Sequence, residues 1–116
     1  MEKTSLVKKA EARKIKNDKA CTVWEYGRGK ILGLALVKID GRFPQEDAVV
    51  NEVCEEAYYV VSGSGTIHYD SSDFKLEAGD AFFILPNKKF WVEGKDLTIV
   101  VPASPNWYPE QHRYVK

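Results

Sequence analysis

Between Phe43 and Phe74 the sequence has no lysine and no arginine, although the 116-residue chain carries 17 basic and 17 acidic side chains in all. Seven carboxylates fall in that stretch: Glu46, Asp47, Glu52, Glu55, Glu56, Asp70 and Asp73. The formal net charge of zero speaks against a general nucleic-acid or membrane-surface binder, which needs surplus cations for phosphate. Long apolar runs are missing too: nothing approaches the ~18 residues of a membrane span. At the N-terminus, MEKTSLVKKAEARKIK breaks every apolar run with charge, so no targeting signal is expected. Two cysteines, Cys21 and Cys54, are too few and too far apart for a disulfide framework and lack metal-finger spacing. A reduced, soluble, cytoplasmic protein is the expectation. The length allows one core and excludes a second domain.

Glycine and proline are absent from the beginning of the chain. All eight glycines lie from Gly27 to Gly94, and the first proline is Pro44. Residues 1–20 hold seven basic groups against three acidic ones, with a thin apolar stripe of Leu6, Val7, Ala10, Ala12 and Ile15; a short helix and an extended arm both fit this pattern. From Thr22 to Pro102 short apolar runs rich in β-branched and aromatic residues recur about every nine residues, separated by Gly, Ser and Asp turns. That spacing predicts an all-β sandwich or barrel over residues 21–102. In residues 103–116, Pro105 and Pro109 follow Pro102, which predicts a stiff, extended strap. Trp107 is expected to anchor it on the barrel or at a dimer interface.

The order of the central segments carries more. Glu56 is followed by six residues and Gly63; Gly79-Asp80 is followed by the strand AFFIL and Pro86. Across roughly residues 31–102 this pairing resembles the cupin family, small double-stranded β-helix (jelly-roll) barrels whose lumen usually holds a metal on three histidines and a glutamate. The resemblance implies a homodimer. It departs from the family where the metal would be held. Val50 and Glu52 occupy the positions of the first two histidines, and Phe90 or Trp91 that of the third. The two histidines of the chain, His68 and His112, lie outside the motif. No cofactor is therefore expected, and a divalent metal remains open only at a non-standard site using Glu52 and Glu56, with Cys54 as a possible third ligand.

In the cupin register, period-2 alternation sets Glu52, Cys54, Glu56, Tyr58 and Val60 toward the lumen. With Phe90 and Trp91 as an aromatic wall, Glu52, Cys54, Glu56, Tyr58, Phe90 and Trp91 are the candidate ligand-binding residues for a small molecule. Neighbouring carboxylates would raise the Cys54 pKa, so an inert thiol is expected. An acidic lumen should favour neutral or cationic ligands over phosphorylated ones. Whether the protein is an enzyme stays open at this stage. The alternative to a binding module is acid-base isomerisation or epimerisation of a sugar-like substrate, with Glu52 or Glu56 as base and Tyr58 or His68 as acid.

Overall fold

The computed structural model describes residues 5–27, 29 and 31–116; Glu2 and Lys3 of the N-terminal basic stretch lie outside them. Among the described residues nine strands form the fold: β1 (Arg13–Asp18), β2 (Cys21–Glu25), β3 (Gly33–Phe43), β4 (Ala48–Asn51), β5 (Glu55–Tyr69), β6 (Ser72–Glu77), β7 (Ala81–Ile84), β8 (Phe90–Ser104) and β9 (His112–Val115). All pairings are antiparallel. One path runs β1-β2-β3-β8-β4-β9, while β5 joins β6, β7 and β8. The all-β fold expected from the spacing of the apolar runs, and the jelly-roll that the cupin resemblance implies, are the observed architecture. No helix among the described residues is long and apolar enough to cross a membrane.

The long strands β5 and β8 curl the sheet. Along β5 the chain changes partner from β7 at Glu56–Tyr59 to β6 at Ser64–Tyr69, and it stays on β8 throughout. The ladder with β8 is irregular between Val60 and Ser64. Gly63 sits in that irregular stretch with φ of 79°, and a Cβ added there would lie 1.9 Å from the Asp96 carbonyl oxygen. The glycine of the Glu-x6-Gly segment thus lets the β5 backbone press against β8 where the sheet bends. Inside the curl, Ile39, Val60, Ile67, Ile84, Phe90, Val92, Leu97 and Ile99 are each no more than 2% exposed and form the core.

The described part of the N-terminal segment contains no α-helix. After a single 3-10 turn at Lys9–Glu11, residues 13–18 form an edge strand on β2, with Arg13 paired to Glu25 at 3.0 Å. Only Ile15 among the apolar stripe reaches the barrel cavity, too little to hold an amphipathic helix down. The C-terminal segment is extended up to a 3-10 turn at Pro109–Gln111 and then becomes β9, paired with β4 from Ala48↔Val115 to Asn51↔His112. Gln111, 1% exposed, fastens it: its Oε1 accepts from the Val53 and Cys54 amides at 3.1 and 2.7 Å, and its carbonyl accepts from the Glu52 amide at 3.0 Å.

Two glycines separate crowding from backbone preference. Gly79 also has positive φ (93°), but a Cβ there meets nothing within 4 Å. Gly79→Ala should cost about 1 kcal/mol of unfolding free energy, the price of the left-handed conformation. Gly63→Ala should cost about 3 kcal/mol or more, because it adds a clash with backbone. Urea unfolding of both variants checks the ordering, and equal losses would contradict it.

Candidate functional site

The curled sheet leaves one end of the barrel open. The cavity there has about 770 Å³ of empty space, its open mouth included. Its floor is the core itself, formed by Val37, Ile39, Phe43, Tyr58 and Phe90, and its upper wall carries Asn51, Glu56, Asn106, Trp107 and His112. Among the described residues, no lysine or arginine lines the cavity. Tyr58 and Phe90 meet edge to face with centroids 6.3 Å apart.

Asn51, 2% exposed at the end of β4, organises the polar groups. The Trp107 indole N–H donates to Asn51 Oδ1 at 3.0 Å. An indole nitrogen can only donate, so this contact sets which way round the amide lies. Asn51 Nδ2 then donates to Glu56 Oε1 at 3.1 Å. His112 Nδ1 stands 2.9 Å from the same Asn51 Oδ1 and must be the protonated ring nitrogen, since Oδ1 only accepts. A neutral His112 therefore keeps a bare lone pair on Nε2.

Burial decides the protonation states. It pushes the Glu56 carboxyl from 4.5 up to about 7, the hydrogen bond from Asn51 opposing it only in part. Among the described residues that line the cavity, no cation is present to reverse that shift. Burial pulls His112 below its usual value, so its ring is neutral at pH 7. Tyr58 is driven well above its ordinary value by burial and then by Glu56, and it remains a phenol. The wall thus offers a carboxyl that titrates near neutrality, a neutral imidazole and a phenol.

Of the residues singled out in the sequence, Glu56, Tyr58 and Phe90 reach the cavity. Cys54 does not line it. It lies 1% exposed behind the corner clamped by Gln111, and burial followed by Glu56 pushes its thiol up to about 12. Glu52 points outward and pairs with Arg113 at 3.1 Å; residues 52–54 form the corner between β4 and β5, where strand alternation lapses. Trp91, one residue past Phe90, takes the opposite face of β8. There it stacks on His68 at 3.6 Å and carries the Arg42 guanidinium 4.0 Å over its ring. His68 lies on that outer surface between Asp73 (2.6 Å) and Glu93 (2.8 Å), away from the lumen, which leaves it no part in lumenal chemistry.

Asn51, Trp107 and His112 are the site residues that reading from the motif misses. The family's usual metal finds no matching donors here. Glu52 and Glu56 diverge, and no three His, Cys, Asp or Glu side chains among the described residues converge as a metal requires.

At the mouth, a Cβ at Gly33 would lie 2.3 Å from Asn106 Oδ1 and 3.3 Å from Asn106 Cα, so a side chain there would push the Asn106 side chain aside. The titration of Glu56 makes a pH prediction. Below pH 4.5 the carboxyl is neutral in both folded and unfolded chains and burial carries no penalty. Between 4.5 and about 7 the unfolded chain loses its proton while the folded chain keeps it, so stability falls as pH rises, by about 3 kcal/mol once the window is passed. Glu56→Gln should flatten that decline relative to the unsubstituted protein in urea titrations at pH 4.5, 6 and 8. Parallel curves for the two proteins would contradict it.

Solved structures share this architecture. The nucleoside dehydratase Pac13 superposes with a TM-score of 0.86 over 98% of this chain and 92% of that chain at 20% identity. A Streptomyces Pac13 variant with uridine superposes with the same score and coverage at 21% identity. KdgF from Halomonas sp. gives 0.75 over 93% and 99% at 18% identity. Ectoine synthase from P. lautus gives 0.69 over 87% and 80% at 13% identity. No curated protein matches the chain in sequence. The family model of the cupin domain matches residues 39–101, just over half of the chain, and the chain belongs to the cupin family.

Proposed function

We propose that the lumen binds a neutral, hydroxyl-bearing small molecule and moves a proton on it, with Glu56 as acid and His112 Nε2 as base. The observation that carries this reading is the Asn51 amide, which ties Glu56 and His112 into one network and, by accepting from His112 Nδ1, leaves Nε2 as an acceptor. His112 Nε2 takes a proton from substrate carbon or hydroxyl. Glu56, protonated through Oε2 below about pH 7, gives one to a carbonyl or departing hydroxyl oxygen. The two transfers together amount to isomerisation or loss of water. Tyr58 supplies a further hydrogen-bond donor on the cavity floor.

Charge supports the ligand class. Among the described residues the wall carries Glu56 and Glu25, the latter already paired with Arg13, and no lysine or arginine lines it, so it offers little to offset a phosphate or a carboxylate. Pac13, whose fold this chain shares, is a nucleoside dehydratase and has been solved with uridine, a neutral, hydroxyl-bearing molecule.

The Trp107 indole N–H reports on the site directly, because it is bonded to Asn51. Titration with uridine, followed by the indole resonance in proton–nitrogen NMR, should shift that signal saturably. Uridine monophosphate should bind about tenfold more weakly or worse, a gap of about 1.4 kcal/mol. Equal or tighter binding of the phosphorylated compound would contradict the reading.

A further inference from the structure

The two asparagines at the mouth of the lumen are used differently. Asn51 has both ends committed, Oδ1 to Trp107 and His112 and Nδ2 to Glu56. Asn106 also lines the cavity and is half-buried, but among the described residues its amide makes no hydrogen bond. Its side chain fills the space that a Cβ would take at two glycines: Oδ1 lies 3.0 Å from that position at Gly27 and 2.3 Å from it at Gly33. The next residue, Trp107, is tied to Asn51, which fixes the chain beside it. An amide carries two N–H donors and an acceptor oxygen. With none of them in use, Asn106 offers all of them to whatever enters the cavity.

Register places this amide relative to the acid and base of the lumen. Glu56 pairs with Ala103, and Ala103 with Gly33; residues directly opposite in an antiparallel pair share a face. Asn106, seated over Gly33, therefore stands two strand spacings, about 10 Å, from the backbone of Glu56. Between them lies Ala103, and one row further in Ala35 pairs with Val101. All three line the cavity, and none carries a polar side chain. A sugar ring has hydroxyls all around it, and those turned toward Ala35, Val101 and Ala103 would lose water without gaining a partner. A planar cyclic amide has apolar faces and holds its C=O and N–H side by side on one edge. That edge matches an asparagine amide through two parallel hydrogen bonds, Nδ2–H donating to the carbonyl and the ring N–H donating to Oδ1. Asparagine reads the edge of adenine in DNA by the same kind of pairing.

We propose that Asn106 is a specificity-determining residue of the lumen, and that the ligand carries a planar cyclic amide that lies against Ala35, Val101 and Ala103 and is held at its edge by Asn106. The ligand proposed above for the lumen, on which this assignment rests, then has two parts: a hydroxyl-bearing part at Glu56 and His112, and an amide-bearing ring at Asn106.

Uridine and 3-methyluridine differ only at the ring N–H, which the second compound replaces with a methyl group. In isothermal titration calorimetry the unsubstituted protein should bind uridine about tenfold more tightly than 3-methyluridine or better, a gap of about 1.4 kcal/mol. Asn106→Ala should weaken uridine about tenfold and bring the two compounds within about twofold of each other, because the partner of the N–H is gone. Equal binding of the two compounds by the unsubstituted protein overturns the proposal, and that comparison needs no variant to fold. A loss in Asn106→Ala that is the same for both compounds overturns it too, since it marks a structural role. In both cases the lumenal reading stands as long as uridine binds saturably and more tightly than its monophosphate. No saturable binding of uridine overturns the two together.

Discussion

The amide of Asn51 holds three separate parts of the chain in one place. Its oxygen takes the indole of Trp107 from the C-terminal segment and the ring of His112 from β9, and its nitrogen reaches Glu56 at the start of β5. Each contact satisfies a polar group that would otherwise be stranded near the core, and unmade hydrogen bonds are expensive there. The consequences run in both directions. Toward structure, the pairing of β9 with β4 and the Gln111 clamp on the corner bring His112 opposite Asn51. Toward chemistry, an acceptor already committed to an indole can only receive a proton from His112, and that selects the imidazole tautomer.

Electrostatics in the lumen follow from what is missing around it. A carboxyl buried beside cations would be held ionised; one buried beside an amide and a phenol is pushed toward neutrality. Glu56 is in the second position, with a value about 7. His68 shows the opposite arrangement in the same protein. Its slight burial lowers its pKa, but the hydrogen bonds to Glu93 and Asp73 outweigh that and raise it overall. The two histidines of the chain are therefore shifted in opposite directions, one raised by two carboxylates at the surface and the other lowered by burial in the lumen.

Much of the barrel can be read from local signals. Glu56 marks the start of β5, Gly63 the bend within it and Gly79-Asp80 the turn between β6 and β7, and the alternation from Glu56 to Val60 holds because a strand forms from Glu55 onward. It breaks for Glu52, since two residues of corner reset which way the side chains face. Phe90 and Trp91 are indistinguishable by spacing; Phe90 enters the core against Tyr58, while Trp91 packs outside with His68. Helix and strand are equally consistent with residues 13–18 because an edge strand needs only one inward apolar residue, Ile15. Asn51 and His112 are 61 residues apart, and no periodicity connects them. Their contact exists only through strand pairing, which local patterns do not encode.

The account rests on the protonation state of His112. Long-range proton–nitrogen NMR of the imidazole rings at pH 7 measures it directly, with His68 as the internal contrast. The prediction is a neutral His112 carrying its proton on Nδ1, an assignment that Asn51→Ala should release into a mixture of tautomers. A charged His112 at pH 7, or one protonated on Nε2, would contradict the account.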